Sequence, residues 1–190
     1  MARRPLNGDG RRARLGIVVP SVNTVMEPWA HRVVPDGVGL FAARMFIPPA
    51  TTPGAFIEMD RNEGRMAIRQ LSSVHPDVIA YGCTASSIVQ GLDYDAHLRG
   101  EIEQAHGVPA TTAAHAIVSA ARALEVGTVS IVSPYTKEVD EAEHRYFASA
   151  GLKVTGGACL GITDGFLLAE PEPDTLFDLG TSGRSVVREQ

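Results

Sequence analysis

The sequence predicts an α/β protein built on parallel strands, with one lobe complete and a second only begun. Apolar runs of four to eight residues alternate with longer amphipathic stretches, the pattern of strands joined by crossover helices. Gly107, Gly127 and Gly151 each close a helical pattern just before a strand, where a residue lacking Cβ can stop a helix. An internal repeat then divides the chain in two.

Residues 1–12, with Pro5, Gly8, Gly10 and four arginines, read as a disordered tail. A tail is expected there in preference to a targeting address, because Ile17-Val18-Val19 is too short for the apolar core of a signal peptide. The first strand is expected over 14–19 and is followed by a helix over 23–34 and a strand over 38–45. A helix over 55–74 sets Phe56, Met59, Glu63, Met66 and Leu71 three and four residues apart, enough for a one-sided stripe. Asp77-Val78-Ile79-Ala80 opens a buried strand over 77–81. Helices over 93–106 and 113–125 flank a strand over 108–112. Strands at 128–133 and 152–156 alternate with helices at 136–150 and 172–188. The expected organisation is a tail (1–12), a first lobe (13–114) and a partial second lobe (115–190).

The repeat aligns Leu15-Gly16-Ile17-Val18-Val19-Pro20-Ser21 with Val129-Ser130-Ile131-Val132-Ser133-Pro134-Tyr135, an offset of 114 (134 minus 20). Each strand ends in Pro and leads to a helix with an acidic residue, Glu27 or Glu141. Element order and spacing carry this alignment more than identity does. At the same offset the strand at 77–81 maps to 191–195 and Cys83 to 197, whereas the chain ends at Gln190. The second lobe is therefore expected to stop before its own reactive loop. An open sheet edge there would promote self-association or poor stability, leaving a homodimer open.

Composition narrows the function classes. A net charge of −5 argues against a nucleic-acid surface, and no apolar run reaches the roughly 18 residues needed to span a membrane. Two cysteines make no disulfide framework, so a reducing cytoplasm is the expected compartment. The six histidines form no HExxH or Cys/His cluster, and neither GxGxxG nor GxxxxGK[ST] follows the first strand. No metal site and no nucleotide site is expected.

Tyr81-Gly82-Cys83-Thr84-Ala85-Ser86-Ser87 is the most informative stretch. It sets a thiol where a strand ends and a helix begins, so backbone N–H groups and the helix dipole are expected to favour the thiolate. The alternative is a buried structural cysteine. Pro20-Ser21-Val22-Asn23-Thr24 with Glu27, then Gly82-Cys83-Thr84, then Ser133-Pro134-Tyr135, resembles the maleate cis-trans isomerase and arylmalonate decarboxylase family of the aspartate/glutamate racemase superfamily. The resemblance covers roughly residues 14–180. It implies two Rossmann-like lobes related by a pseudo-twofold, with the active site between them.

It further implies Cys83 as nucleophile, and Asn23, Thr84, Ala85 and Tyr135 as groups that hold a substrate carboxylate. A second-lobe Asn of the family is replaced around Asp164-Gly165. Decarboxylases of the group carry Gly at the first Cys position, so the resemblance implies that Cys83 favours isomerase or racemase chemistry over decarboxylation; the expected reaction is cofactor-independent isomerisation of maleate or a related small dicarboxylate. The residues also have structural readings. Asn23 suits an N-cap, Thr84 and Ser86 suit helix caps, Tyr135 suits strand-end packing, and Thr51 and Thr52 suit loop polarity. Cys159 reads as a small buried residue. The rival functions are an amino-acid or hydantoin racemase with two facing thiols, a decarboxylase, and a dicarboxylate-binding lobe without turnover.

Overall fold

The computed structural model describes residues 10–182; the remainder of the expected tail (1–9) and of the last helix (183–188) lies outside the described residues. Strand β1 (Ala13–Pro20) lies inside a four-stranded parallel sheet ordered β2-β1-β3-β4, with β2 at Val38–Met45, β3 at Val78–Tyr81 and β4 at Ala110–Thr112. Ile17, Val18 and Val19 are all buried, which explains an unbroken apolar run where an exposed strand would alternate. Pro109 has no N–H to give the ladder; its carbonyl accepts from Ile79, and β4 starts one residue later than that proline.

Helix α1 (Met26–Val33) links β1 to β2. The helix expected over 55–74 forms as α2 (Pro53–Met59), a π-helical turn at Asp60–Gly64, and α3 (Arg65–Ser72). Phe56, Met59 and Leu71 of the expected stripe are buried, whereas Met66 is exposed. Helices α4 (Thr84–Gln90) and α5 (Leu92–His106) are separated at Gly91, whose φ of +89° suits glycine. Helix α6 (Ala113–Ala123) leads to the second unit, and its end is turned by Glu125 at φ +56° and not by Gly127.

The second unit comprises β5 (Thr128–Ser133), α7 (Lys137–Ser149), β6 (Lys153–Cys159) and α8 (Pro173–Ser182), with β5 and β6 paired in parallel. Strand β6 runs three residues past the expected 152–156 because Gly156, Gly157 and Ala158 hide a strand in small residues. A Cβ on Gly157 would lie 2.2 Å from the Ile131 carbonyl oxygen, so only glycine permits this approach. The repeat is visible in the pairing: Ala13 faces Val38 and Thr128 faces Lys153, partners 25 residues apart in both units (38 minus 13; 153 minus 128).

The loops after β2 and β6 clasp each other. The Thr51 N–H donates to Thr163 O at 3.2 Å, the Thr51 hydroxyl donates to Ile162 O at 2.8 Å, and the Gly165 N–H donates to Pro49 O. Helix α4 also packs on α7: Ala85 belongs to the first core with Val139, whereas Ile88 belongs to the second with Ala142 and Tyr146. The cores thus meet along α4, whose first turn follows Cys83. No helix among the described residues is long and apolar enough to cross a membrane.

Candidate active site

A cleft of about 230 Å³ opens where β1, β3 and β5 end. Asn23, Cys83, Thr84 and Tyr135 line it, with Val22, Phe56 and Leu168 as apolar walls and no Lys or Arg among the lining residues. Four of the five residues singled out by sequence therefore share one cavity. Ala85, the fifth, is 1% exposed behind it, and its N–H points at the Cys83 sulfur.

Cys83 is the N-cap of α4, in extended conformation at φ −122° and ψ 100°. Its thiol stands where a cap oxygen would stand, facing the N–H groups of Ala85 and Ser86. Neither Thr84 nor Ser86 caps the helix: Thr84 is its first residue, and the Ser86 hydroxyl donates to Asp60 at 2.6 Å. A Cβ on Gly82 would meet Met26 Sδ at 2.2 Å, so glycine lets the chain pass close to α1 before the thiol.

The expected thiolate is not what the site favours. Burial, and then the nearby Asp60 carboxylate, push the Cys83 thiol up to about 12. The N–H groups of Ser86 and Ala85 pull the other way and are outweighed. Cys83 thus rests as a neutral thiol at pH 7.

Asn23 accepts from the N–H groups of Val25 and Met26 at 3.1 and 2.8 Å, so it holds the turn leading into α1, whose N-cap position is Val25. Its carbonyl oxygen is thereby occupied, and its NH₂ is the part suited to a ligand. Arg44 braces this loop through the carbonyls of Ser21 and Asn23 and pairs with Glu27 at 2.7 Å. Tyr135 packs edge-on against Phe56, with centroids 6.3 Å apart. Burial, with Cys83 and Glu143 nearby, raises its phenol, so it can donate a hydrogen bond at any ordinary pH.

Thr51 and Thr52 hold the loops together: Thr51 belongs to the clasp, and Thr52 caps α2 by accepting from the Ala55 N–H. Asp164 caps the short turn at Gly165–Leu167, accepting from the Phe166 N–H at 2.9 Å, while Gly165 lines the cleft. Cys159 is buried at the end of β6. Among the described residues, no group of three His, Cys, Asp or Glu side chains could hold a metal ion.

Sequence reading missed Asp60 and Arg44. Asp60 sits in a helical stretch whose apolar stripe gives no reason to expect a buried acid, and Arg44 sits at a strand end.

Two β-α-β units around a cleft, with a helix-capping thiol in it, define a two-lobed α/β protein with a cysteine at the centre of its site. The arylmalonate decarboxylase family model matches residues 15–187, and the chain belongs to that family. It is 27% identical over 178 residues to the maleate isomerase of Geobacillus stearothermophilus, covering 87% of this chain and 70% of that one. It is 29% identical over 168 residues to the arylmalonate decarboxylase of Bordetella bronchiseptica, covering 84% and 68%. Among solved structures, a Cys-to-Ala variant of the maleate isomerase Iso from Pseudomonas putida S16 with maleate superposes at a TM-score of 0.76. That likeness has 28% identity and covers 85% of this chain and 69% of that one. A Nocardia farcinica maleate cis-trans isomerase carrying a covalently bound succinylcysteine intermediate superposes at 0.82, with 21% identity over 90% and 72%, a likeness of fold. The chain is an enzyme of this isomerase and decarboxylase family.

Proposed function

We propose that the protein isomerises maleate, or a closely related cis-dicarboxylate, to the trans isomer through a covalent adduct on Cys83, without a cofactor. The observation that carries this reading is the thiol itself, at the helix-capping position of a cleft lined by Asn23, Thr84 and Tyr135. The maleate isomerases among its relatives support the substrate class.

A C=C bond cannot turn while its π bond is intact. Addition of the Cys83 sulfur to one carbon moves the π electrons toward the adjacent carboxylate, which becomes an enediolate, and leaves a single bond that rotates. Expulsion of sulfur restores the double bond in the trans form. The thiol proton leaves as the carbon–sulfur bond forms and returns as it breaks. Transfer of a proton to the enediolate carbon would convert that adduct into a succinyl thioether, the form carried by the Nocardia isomerase.

The charge that develops on the carboxylate needs fixed donors in a sheltered site. The Asn23 amide, the Thr84 and Tyr135 hydroxyls and the N–H groups that follow Cys83 are the donors assigned to it. Neutral donors suit a site that must also release a dianion, because a buried guanidinium would hold substrate and product alike.

Incubation with maleate, with fumarate followed by NMR, tests the reading. Cys83→Ser is expected to lower turnover by at least roughly a thousandfold, and Cys159→Ser to change it by less than about threefold. Retained turnover in Cys83→Ser would overturn the mechanism.

A further inference from the structure

A second cavity, of about 850 Å³ against about 230 Å³ for the cleft, runs between α5 and the helical stretch 57–68. It shares no lining residue with the cleft, and the two stand back to back. Phe56 lines the cleft and Ile57 the groove; Cys83 lines the cleft and Tyr81 the groove. Its volume lies in the range of sites that enclose a small organic ligand. Two hydrogen bonds set the register of its walls: Tyr94 donates to Asp60 at 2.7 Å, and Arg65 donates to Glu101 at 3.2 Å. The walls therefore run in the same direction, and the groove follows α5 from Tyr94 to His106, about 18 Å at 1.5 Å per residue. The π-helical turn at Asp60–Gly64 forms part of one wall, and such turns are frequent at functional sites.

The lining is apolar at its floor and unbalanced in charge. Ile68, Leu98 and Ile102 are buried members of the first core, which the groove reaches. Asp60 has both oxygens filled: Tyr81 donates to Oδ1, and Ser86, Gln90 and Tyr94 donate to Oδ2. Glu101 pairs with Arg65 and stands 3.5 Å from His97. Both acids of the lining are thus engaged. Arg61 follows Asp60 and so stands at the Tyr94 end, with no acidic partner among the described residues. A cation finds no free carboxylate in this groove, whereas an anion finds a free guanidinium.

We propose that this groove is a second ligand site, for an elongated amphipathic carboxylate. The carboxylate pairs with Arg61, and the apolar chain lies along Leu98, Ile102 and Ile68 toward His106. Burial of the chain supplies the affinity, and the guanidinium fixes its direction. Maleate has no chain to bury there. Because groove and cleft have separate linings, occupancy requires neither Cys83 nor turnover.

Decanoate is the probe, followed by isothermal titration calorimetry on the whole chain. It is expected to saturate at one molecule per chain, and Cys83→Ser should bind it as the parent does. Arg61→Gln should weaken binding about tenfold, since a charge-assisted contact is lost. Ala105 is an exposed residue of the lining, so a larger side chain there obstructs the groove without entering the core. Ala105→Trp should therefore also weaken binding by at least roughly tenfold. Decyltrimethylammonium, the same chain with the opposite charge, should bind at least about tenfold more weakly than decanoate. Absence of saturable decanoate binding overturns the inference. Equal binding of the two probes also overturns it, because the groove would then be apolar surface alone. Parent-like affinity in both variants would put decanoate elsewhere, with the same consequence. Near-ultraviolet circular dichroism reports the folding of each variant, and Arg61→Gln decides alone if Ala105→Trp misfolds.

Discussion

Asn23 performs two tasks with the two ends of one amide. Its oxygen holds the turn before α1 by accepting from Val25 and Met26, and its NH₂ is assigned to the substrate carboxylate. Aspartate has the oxygens but no NH₂, and it places a charge next to an anionic ligand. Asn23→Asp is therefore expected to keep the melting temperature near that of the parent, while Asn23→Ala loses about 1 kcal/mol of stability. Both should lose maleate turnover. If Asn23→Asp turns maleate over normally, the amide only holds the turn. Sequence made the thiol, the amide and the tyrosine visible as residue types at motif spacing. It could not show that the thiol takes the cap position itself, nor that Ser86 turns away from the helix end toward Asp60.

Helices α4 and α7 carry the junction between the cores, and α7 brings a buried acid to it. Glu143 is 6% exposed, with its Oε2 lacking a hydrogen-bond partner. Burial, and more weakly Asp140, push its carboxyl up from 4.5 to about 7, against the pull of Ser133. The fold thus binds this proton more tightly than the unfolded chain does. Stability from this group is present below pH 4.5 and is lost as pH rises through about 7. Glu143→Gln should be more stable than the parent by about 3 kcal/mol at pH 8 and equal to it at pH 4, measured by urea unfolding. An equal gain at both values would place the effect in packing. The periodicity of α7 was readable in the chain, but a glutamate on a helix reads as solvated until the partner face is known. The same holds for Asp60 in its π-helical turn.

Over the whole molecule, the two sheets differ in protection. The four-stranded sheet has its central strands covered, whereas β5, among the described residues, pairs only with β6 and exposes Thr128 and Ser130. Leu124 and Val126, just before it, are 74% and 39% exposed. A β-branched run with an open edge and apolar neighbours is a template for another strand. Sedimentation is expected to show concentration-dependent association, reduced by Ser130→Lys on the exposed face. A monomer at all concentrations would show that the edge is protected.

The sequence by itself determined the α/β class, most of the order of the elements and the internal repeat, because strand and helix periodicities and strand-end motifs are local. Only the tertiary structure decided that residues as far apart as 23, 83 and 135 line one cleft, and that the loops after β2 and β6 clasp across the units. It also decided that burial and Asp60 keep the thiol protonated. The reason is physical: burial and charge proximity are sums over neighbours distant in the chain, and a one-dimensional pattern contains no distances between them.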